Sequence, residues 1–247
     1  MTNFARVWAI LRKELSTLLY NLIAYLVWGI FLVGTGLFLW VFSGSAIQTG
    51  AAEMDNFFAV APWFMLFLVP ALTMRTFPEE FRSGTYELLA TVPISRWAII
   101  LGKYLAVGVV ILLALVPTLV FYVSLGWLAQ PRWHIDHGAI QGAYIGLAGM
   151  ALVLAALGLW MATLTSHTII AFLLGVFVGF LWLVGFEFAS DLPIGKPLQD
   201  FFAQMSLMEH YRSLSRGVVD SRDILYLLLV VTGGLYLAYQ SLSRRHP

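Results

Sequence analysis

The sequence predicts an all-α, polytopic membrane domain: six transmembrane helices, an amphipathic helix before them and a charged island between the second and third. Three observations predict it. Hydrophobic residues make up 60% of the 247-residue chain and charged ones 11%, where a soluble domain carries about 25% charge. Six stretches are apolar over the length needed to cross about 30 Å of hydrocarbon at 1.5 Å per residue. Period-2 alternation, the mark of a membrane barrel, is not evident, and helices pair their backbone groups internally as lipid requires. The whole chain, 1–247, reads as one domain.

In chain order, residues 4–19 place Phe4, Val7, Trp8, Leu11, Leu15 and Leu18 at helical spacing, with Arg6, Lys13 and Glu14 in other directions. Apolar residues with Trp on one side and cations on the other describe a helix lying in the membrane interface; the plainer alternative is a basic anchor flanking the first span. The spans follow at 22–42, 57–74, 98–128, 139–164, 169–186 and 224–242. The first is too long for the apolar core of a cleaved signal and is preceded by a structured segment, so a retained anchor is expected. Pro62 and Pro70 are expected to interrupt the second span and Pro117 to kink the third. The last outer loop, 187–223, is expected to be structured. Asp200, Phe201, Phe202, Met205 and Met208 suggest a short helix, Gly217 its stop, and Asp220 or Ser221 the cap of the final span.

Charge placement orients the chain. With the N-terminus inside, the inner segments hold Arg6, Arg12, Lys13, Arg75, Arg82, Arg96, Lys103, Arg244 and Arg245; the outer ones hold Arg132, Lys196, Arg212, Arg216 and Arg222. The first outer segment, 43–56, has no cation. By the positive-inside rule both termini and the island face the cytoplasm. A net charge of +1 gives no reason to expect a nucleic-acid partner, and the absence of cysteine excludes disulfides and thiolate metal sites.

Catalytic signatures are missing. There is no H-E-x-x-H and no G-x-S-x-G, and neither Gly102-Lys103 nor Gly195-Lys196 has the upstream glycine and following Ser or Thr of a P-loop. The chain is therefore expected to be no enzyme and to hold no cofactor of its own. No charge falls at a span centre, which argues against an ion-coupled relay. His134, Asp136 and His137 could ligate zinc, but without a fourth ligand in view a polar loop explains them as well, and no metal site is assigned. The G-x-x-x-G pairs Gly142/Gly146 and Gly175/Gly179 permit close helix packing. Trp28, Trp40, Trp63, Trp127, Trp133 and Tyr144 fall near span ends, where rings anchor in the headgroup zone.

The island is "PEEFRSGTYELLATVP", Pro78 to Pro93. Pro78 starts it, Ser83 or Thr85 can cap a short helix with Glu87 in its first turn, and Pro93 stops it. Phe81, Tyr86, Leu88 and Leu89 beside the charges describe a docking surface rather than a solvated loop.

"EEFRSGTYELLATVPISRWAIILGK", Glu79 to Lys103, resembles the signature of ABC-2-type transporter permeases: Glu79-Glu80, Gly84-Thr85, Glu87-Leu88-Leu89, Pro93, Ser95-Arg96 and Gly102-Lys103 follow in its order, with Tyr86 where Leu is commoner. "EHYRSLSRGVVDSRDILY", Glu209 to Tyr226, resembles the gliding-motility-associated branch. The resemblance implies a permease subunit of an export-type ABC transporter in the bacterial cytoplasmic (inner) membrane. It pairs as a dimer, with itself or a related chain, over separate ATP-binding subunits that carry the ATP and magnesium. An accessory periplasmic or membrane protein is a further partner it allows. It implies that Arg82–Thr91, within a coupling segment 78–95, is the coupling helix. Glu79, Glu80, Arg82 and Glu87 would then be polar contacts to the ATPase and Phe81, Tyr86 and Leu88 packing contacts, with Gly84 and Thr85 completing the docking segment. Two other classes remain: a non-transporting or mechanical subunit with the same island, and, less well matched, an ion-coupled secondary transporter.

Overall fold

The computed structural model describes residues 3–42, 45–50, 53–86, 94–193, 195–218 and 220–245, and every regular element among them is helical. Helix α1 (Asn3–Tyr20) leads to the first span, α2 (Leu22–Trp40), through Asn21, whose side-chain oxygen accepts from the Ile23 N–H and caps the new helix. A single turn, α3 (Ala46–Thr49), precedes the second span, α4 (Asp55–Thr73), and the island helix α5 (Pro78–Ser83). The third span is α6 (Arg96–Leu115), a 3-10 turn at Val116–Thr118, and α7 (Leu119–Leu128). The fourth is α8 (His137–Leu164). The fifth passes through α9 (Thr168–Phe180), a π-turn at Leu181–Gly185 and α10 (Phe186–Ser190). Helices α11 (Lys196–Met205) and α12 (Leu207–Ser215) fold over the end of the bundle opposite the island, and α13 (Ser221–Arg245) is the sixth span. Six helices are thus long and apolar enough to cross a membrane among the described residues, as expected.

The fourth span is the hub. Of its most apolar window 72% is buried, against 17% for the sixth span, so the first, fifth and sixth spans form the lipid-facing rim. Small side chains explain why neighbours approach it: Ala151, Ala155, Ala156, Gly158 and Ala162 are all buried. Both G-x-x-x-G pairs serve packing inside this chain. Gly142 and Gly146 receive Leu214 and Tyr211 of α12, while Gly175 and Gly179 receive Pro70 and Leu66 of α4.

Two expectations change. The outer loop holds two helices rather than one, because Ser206 adopts extended backbone and breaks the run. Gly217, at φ +83°, does stop the second, and Asp220 caps the sixth span by accepting from the Arg222 N–H at 2.9 Å. Pro117 falls in the 3-10 turn that divides the third span, but Pro62 and Pro70 leave α4 unbroken. A proline at position 62 removes the N–H that would bond the carbonyl of Phe58. Tyr211, on α12, supplies the replacement: its hydroxyl donates to that carbonyl at 2.8 Å. Burial pushes the Tyr211 phenol up, so it remains a donor at any physiological pH. A neighbouring helix therefore repairs the backbone, as a hydrocarbon solvent demands.

Tyr211→Phe should cost about 1–3 kcal/mol by leaving that carbonyl unpaired. In a Pro62→Ala background, where the helix regains its own N–H, the same change should cost little. Thermal unfolding of the four variants in detergent checks the cycle; equal costs in both backgrounds would refute the assignment.

Candidate functional site: a buried charge cluster beneath the island

The cluster begins with a glycine. A Cβ on Gly102 would lie 2.6 Å from Ile10 Cγ2 and 3.2 Å from the Val7 carbonyl oxygen, so α1 lies directly against the backbone of α6. Val7, Ile10 and Glu14 follow at helical spacing along that contact, and Glu14 arrives beside Lys103. Lys103 is 1% exposed. Its ammonium donates to Glu14 Oε1 at 2.9 Å, to Glu80 Oε1 at 2.8 Å and to the Thr76 carbonyl at 2.6 Å. An ammonium has three donors, and all three are used. The Phe77 ring centroid lies 4.9 Å from Nζ and closes the apolar side.

Lys13 closes the cluster from the solvent side, donating to Glu14 at 2.7 Å and Glu80 at 3.0 Å. Two ammonium groups and two carboxylates make a neutral set, which is what burial requires. Burial alone would raise the Glu14 carboxyl, but Lys103 and Lys13 outweigh it and hold the group below its ordinary value. Burial would likewise lower Lys13, and its bonds to Glu14 and Glu80 reverse that. The Arg75–Glu79 pair, 3.4 Å apart and largely exposed, adds little.

The island rests on this cluster. Pro78 occupies the first turn of α5, Glu79 and Glu80 complement its N-terminal dipole, and Arg82 lies in its last turn. Gly84 ends it at φ +70°, a conformation that favours glycine. A helix thus precedes Gly84, in addition to the one that the sequence suggested beyond it. Ser83 accordingly bonds back to the Glu79 carbonyl at 2.8 Å instead of capping forward. A further helical turn begins at Thr85 and Tyr86; Glu87, Leu88, Leu89 and the expected stop at Pro93 lie outside the described residues.

The expected contact residues divide into two sets. Glu79, Arg82, Gly84 and Thr85 are exposed. Glu80 turns inward to Lys103, and Phe81 and Tyr86 close on Phe77, with ring centroids 5.9 Å (Phe77–Phe81) and 5.1 Å (Phe81–Tyr86) apart. Burial raises the Tyr86 phenol, with Arg96 opposing. Sequence reasoning missed Glu14 and the turn carbonyl of Thr76. The signal for Glu14 was its place on the Val7–Ile10 stripe, the face α1 presents to α6. The loop donors His134, Asp136 and His137 are not gathered: Asp136 caps α8 by accepting from the Ala139 N–H at 3.0 Å, and His137 pairs with the Tyr122 hydroxyl at 2.6 Å. No group of three metal-binding side chains occurs among the described residues.

A six-span helical bundle with a charged cluster seating a short helix between spans two and three defines a class of membrane subunit. The particular family is given by comparison: residues 45–207 match the family described as ABC-2 family transporter protein. The match spans about two thirds of the chain and includes the whole island, and the chain belongs to the ABC-2 family of transporter proteins. The family is one of membrane subunits that work with an ATP-binding partner. No curated protein matches the chain. The match is to the family as a whole and does not single out the gliding-associated branch. Glu209–Tyr226 has structural duties instead: besides Tyr211, His210 Nδ1 meets Asp223 at 2.7 Å, and the Tyr226 hydroxyl donates to the Met205 carbonyl at 2.5 Å.

Lys103→Met should destabilise the bundle by about 3–5 kcal/mol, because Glu14 and Glu80 are left facing each other without their buried cation. The triple change Lys103→Met, Glu14→Gln, Glu80→Gln should recover most of it. The pH dependence follows from the lowered Glu14 group. Its contribution is complete above the ordinary value of 4.5 and is lost as pH falls through the lower folded value. Melting temperature in detergent should therefore hold from pH 8 to about pH 5 and fall below it, less steeply in Glu14→Gln.

Proposed function

We propose that this chain is the permease subunit of an export-type ABC transporter, driven by a separate ATP-binding subunit that docks on the island. The observation that carries the reading is the division of the island. Its inner side is bonded to α1 and the third span through Lys103, while Glu79, Arg82, Gly84 and Thr85 are presented outward. A push on an element held this way is delivered to two spans and the N-terminal helix together. In this reading Glu79, Arg82 and Thr85, continued by Glu87 and Leu88, contact the ATPase. Glu80, Phe81 and Tyr86 hold the docking helix in place.

The same reading puts the island and both termini in the cytoplasm of a bacterial inner membrane, since cations are concentrated on that side. ATP and magnesium belong to the partner, and two permease chains, identical or related, complete the assembly. Packing of both G-x-x-x-G pairs within one chain leaves that second chain to another surface. A non-transporting, mechanical subunit would keep the same docking face and differ only in what moves; ATP-dependent transport in vesicles separates the two.

The charge reversals Glu79→Lys and Arg82→Glu, both at exposed positions, should leave stability within about 0.5 kcal/mol of wild type. They should sharply reduce co-purification of the ATP-binding subunit and its stimulated ATP hydrolysis. Retention of both at wild-type levels would sink the docking assignment. Glu80→Ala should instead lower the melting temperature of the isolated chain.

A further inference from the structure

At the end of the bundle opposite the island, α11 stops against a histidine. An α-helix leaves its last four carbonyls without donors of its own. Two of those in α11, Gln204 and Met205, are met from other elements: His210 Nε2 lies 3.0 Å from the Gln204 oxygen, and the Tyr226 hydroxyl donates to that of Met205. The same imidazole faces Asp223 of α13, with Nδ1 2.7 Å from Oδ1. It lies flat on the Tyr226 ring, centroids 3.8 Å apart and planes 17° from parallel. One side chain thus joins the end of α11, the body of α12 and the first turn of α13.

Both ring nitrogens face acceptors. A carbonyl and an ionised carboxylate can only accept; a neutral imidazole has one N–H and serves one of them, and an imidazolium has two and serves both. A carboxylic acid is the stronger acid, so the second proton belongs on the ring and not on Asp223. The helix ends favour the same arrangement, since the ring sits at the negative C-terminus of α11 and Asp223 at the positive N-terminus of α13. Asp223 is 6% exposed, and its Oδ2 has no hydrogen-bond partner among the described residues, which leaves the ring as the donor to this carboxylate. Neighbouring charges are engaged elsewhere. On α12, Glu209 meets Arg212, which also takes Glu187 of α10. Before α13, Asp220 caps the Arg222 N–H, and the Arg222 side chain is exposed. Lys196 and Asp200 of α11 lie a turn or more before Gln204. The fourth span meets α12 through Gly142 and Gly146, and its His137 pairs with Tyr122.

We propose that His210 is a proton-operated latch on α11. Protonated, it clamps the C-terminal turn of α11 to α12 and α13. On losing a proton the ring keeps its bond to Asp223, the charged acceptor, and turns a lone pair on the Gln204 carbonyl, so the last turn of α11 loosens onto the single Tyr226 bond. The closed form holds one more proton than the open form; acid therefore favours closure and rising pH favours opening. Histidine is the side chain that ordinarily changes charge between about pH 5 and 8. An opened α11 stays tethered at its other contacts, the Phe202–Phe186 stack at 6.3 Å and the Gln199 amide donating to the Leu192 carbonyl at 2.7 Å. Its movement is thus a swing with the segment that follows the fifth span. The latch is independent of the docking reading, since it needs no ATP-binding subunit.

The test is hydrogen–deuterium exchange of the full chain in nanodiscs at about pH 5.5 and about pH 8.5, corrected for the intrinsic rates. Protection of the last-turn amides of α11 should fall roughly tenfold across that range, the loss of one charge-assisted hydrogen bond, while the fourth span stays unchanged. In His210→Gln, protection of that turn should be the same at both pH values. Nitrogen-15 spectra of the histidine-labelled chain, with His210 assigned by its absence from that variant, should show two protonated ring nitrogens at the acid pH and one at the alkaline. Equal protection at both pH values in wild type, the same fall in His210→Gln, or a ring with a single proton at the acid pH overturns the proposal. Should His210→Gln fail to fold, Asp223→Asn decides: with only neutral acceptors left for the ring, the fall in protection should move to lower pH, and an unmoved fall overturns the latch.

Discussion

One ammonium group organises the island end of this protein. A lysine in an apolar bundle holds its charge only where every proton has an acceptor and the surrounding charge sums to zero. Lys103 meets both conditions with groups from two other parts of the chain: a carboxylate on α1, and a turn carbonyl and carboxylate at the foot of the second span. The shape of the region follows. Residue 102 has to be glycine for α1 to come close enough, the second span has to end where the Thr76 carbonyl is free, and the island has to start with an acid turned inward. Loss of one contact strands a charge in a low dielectric, so the arrangement is held together or abandoned as a whole.

The opposite end obeys a different constraint, the saturation of backbone groups where water is scarce. Pro62 would leave a bare carbonyl in the second span, and Tyr211 fills it. The outer helices are thereby tied to the span bundle by a bond that exists only because of a proline 149 residues earlier in the chain. The His210–Asp223 and Tyr226–Met205 contacts fasten the same helices to the sixth span. This end is thus pinned on both flanks.

Much of this was legible in advance, and the reason is solvent. Six apolar runs in a chain with so few charges have few alternatives to six helices, and caps such as Asp220 and stops such as Gly217 act through neighbours in sequence. What was not legible acts through space. Glu14 on α1 reads as part of a solvated face because its partner is 89 residues away. Pro62 and Pro70 read as breaks because a single segment cannot show which neighbour repairs them. Gly84 was correctly seen as a bend, but the helix that precedes it depended on Pro78 and on Glu80 being drawn inward, a tertiary effect. The two outer helices were read as one because nothing around Ser206 except its extended backbone announces the break.

The direction of the contacts around Lys103 has a bearing on how the chain is made. Glu14, Thr76 and Glu80 all precede it, by 89, 27 and 23 residues. A chain synthesised from its N-terminus has produced every acceptor before the lysine itself emerges. The third span can therefore take its place against a receptor already built, and its lysine meets its counter-charges as soon as it arrives.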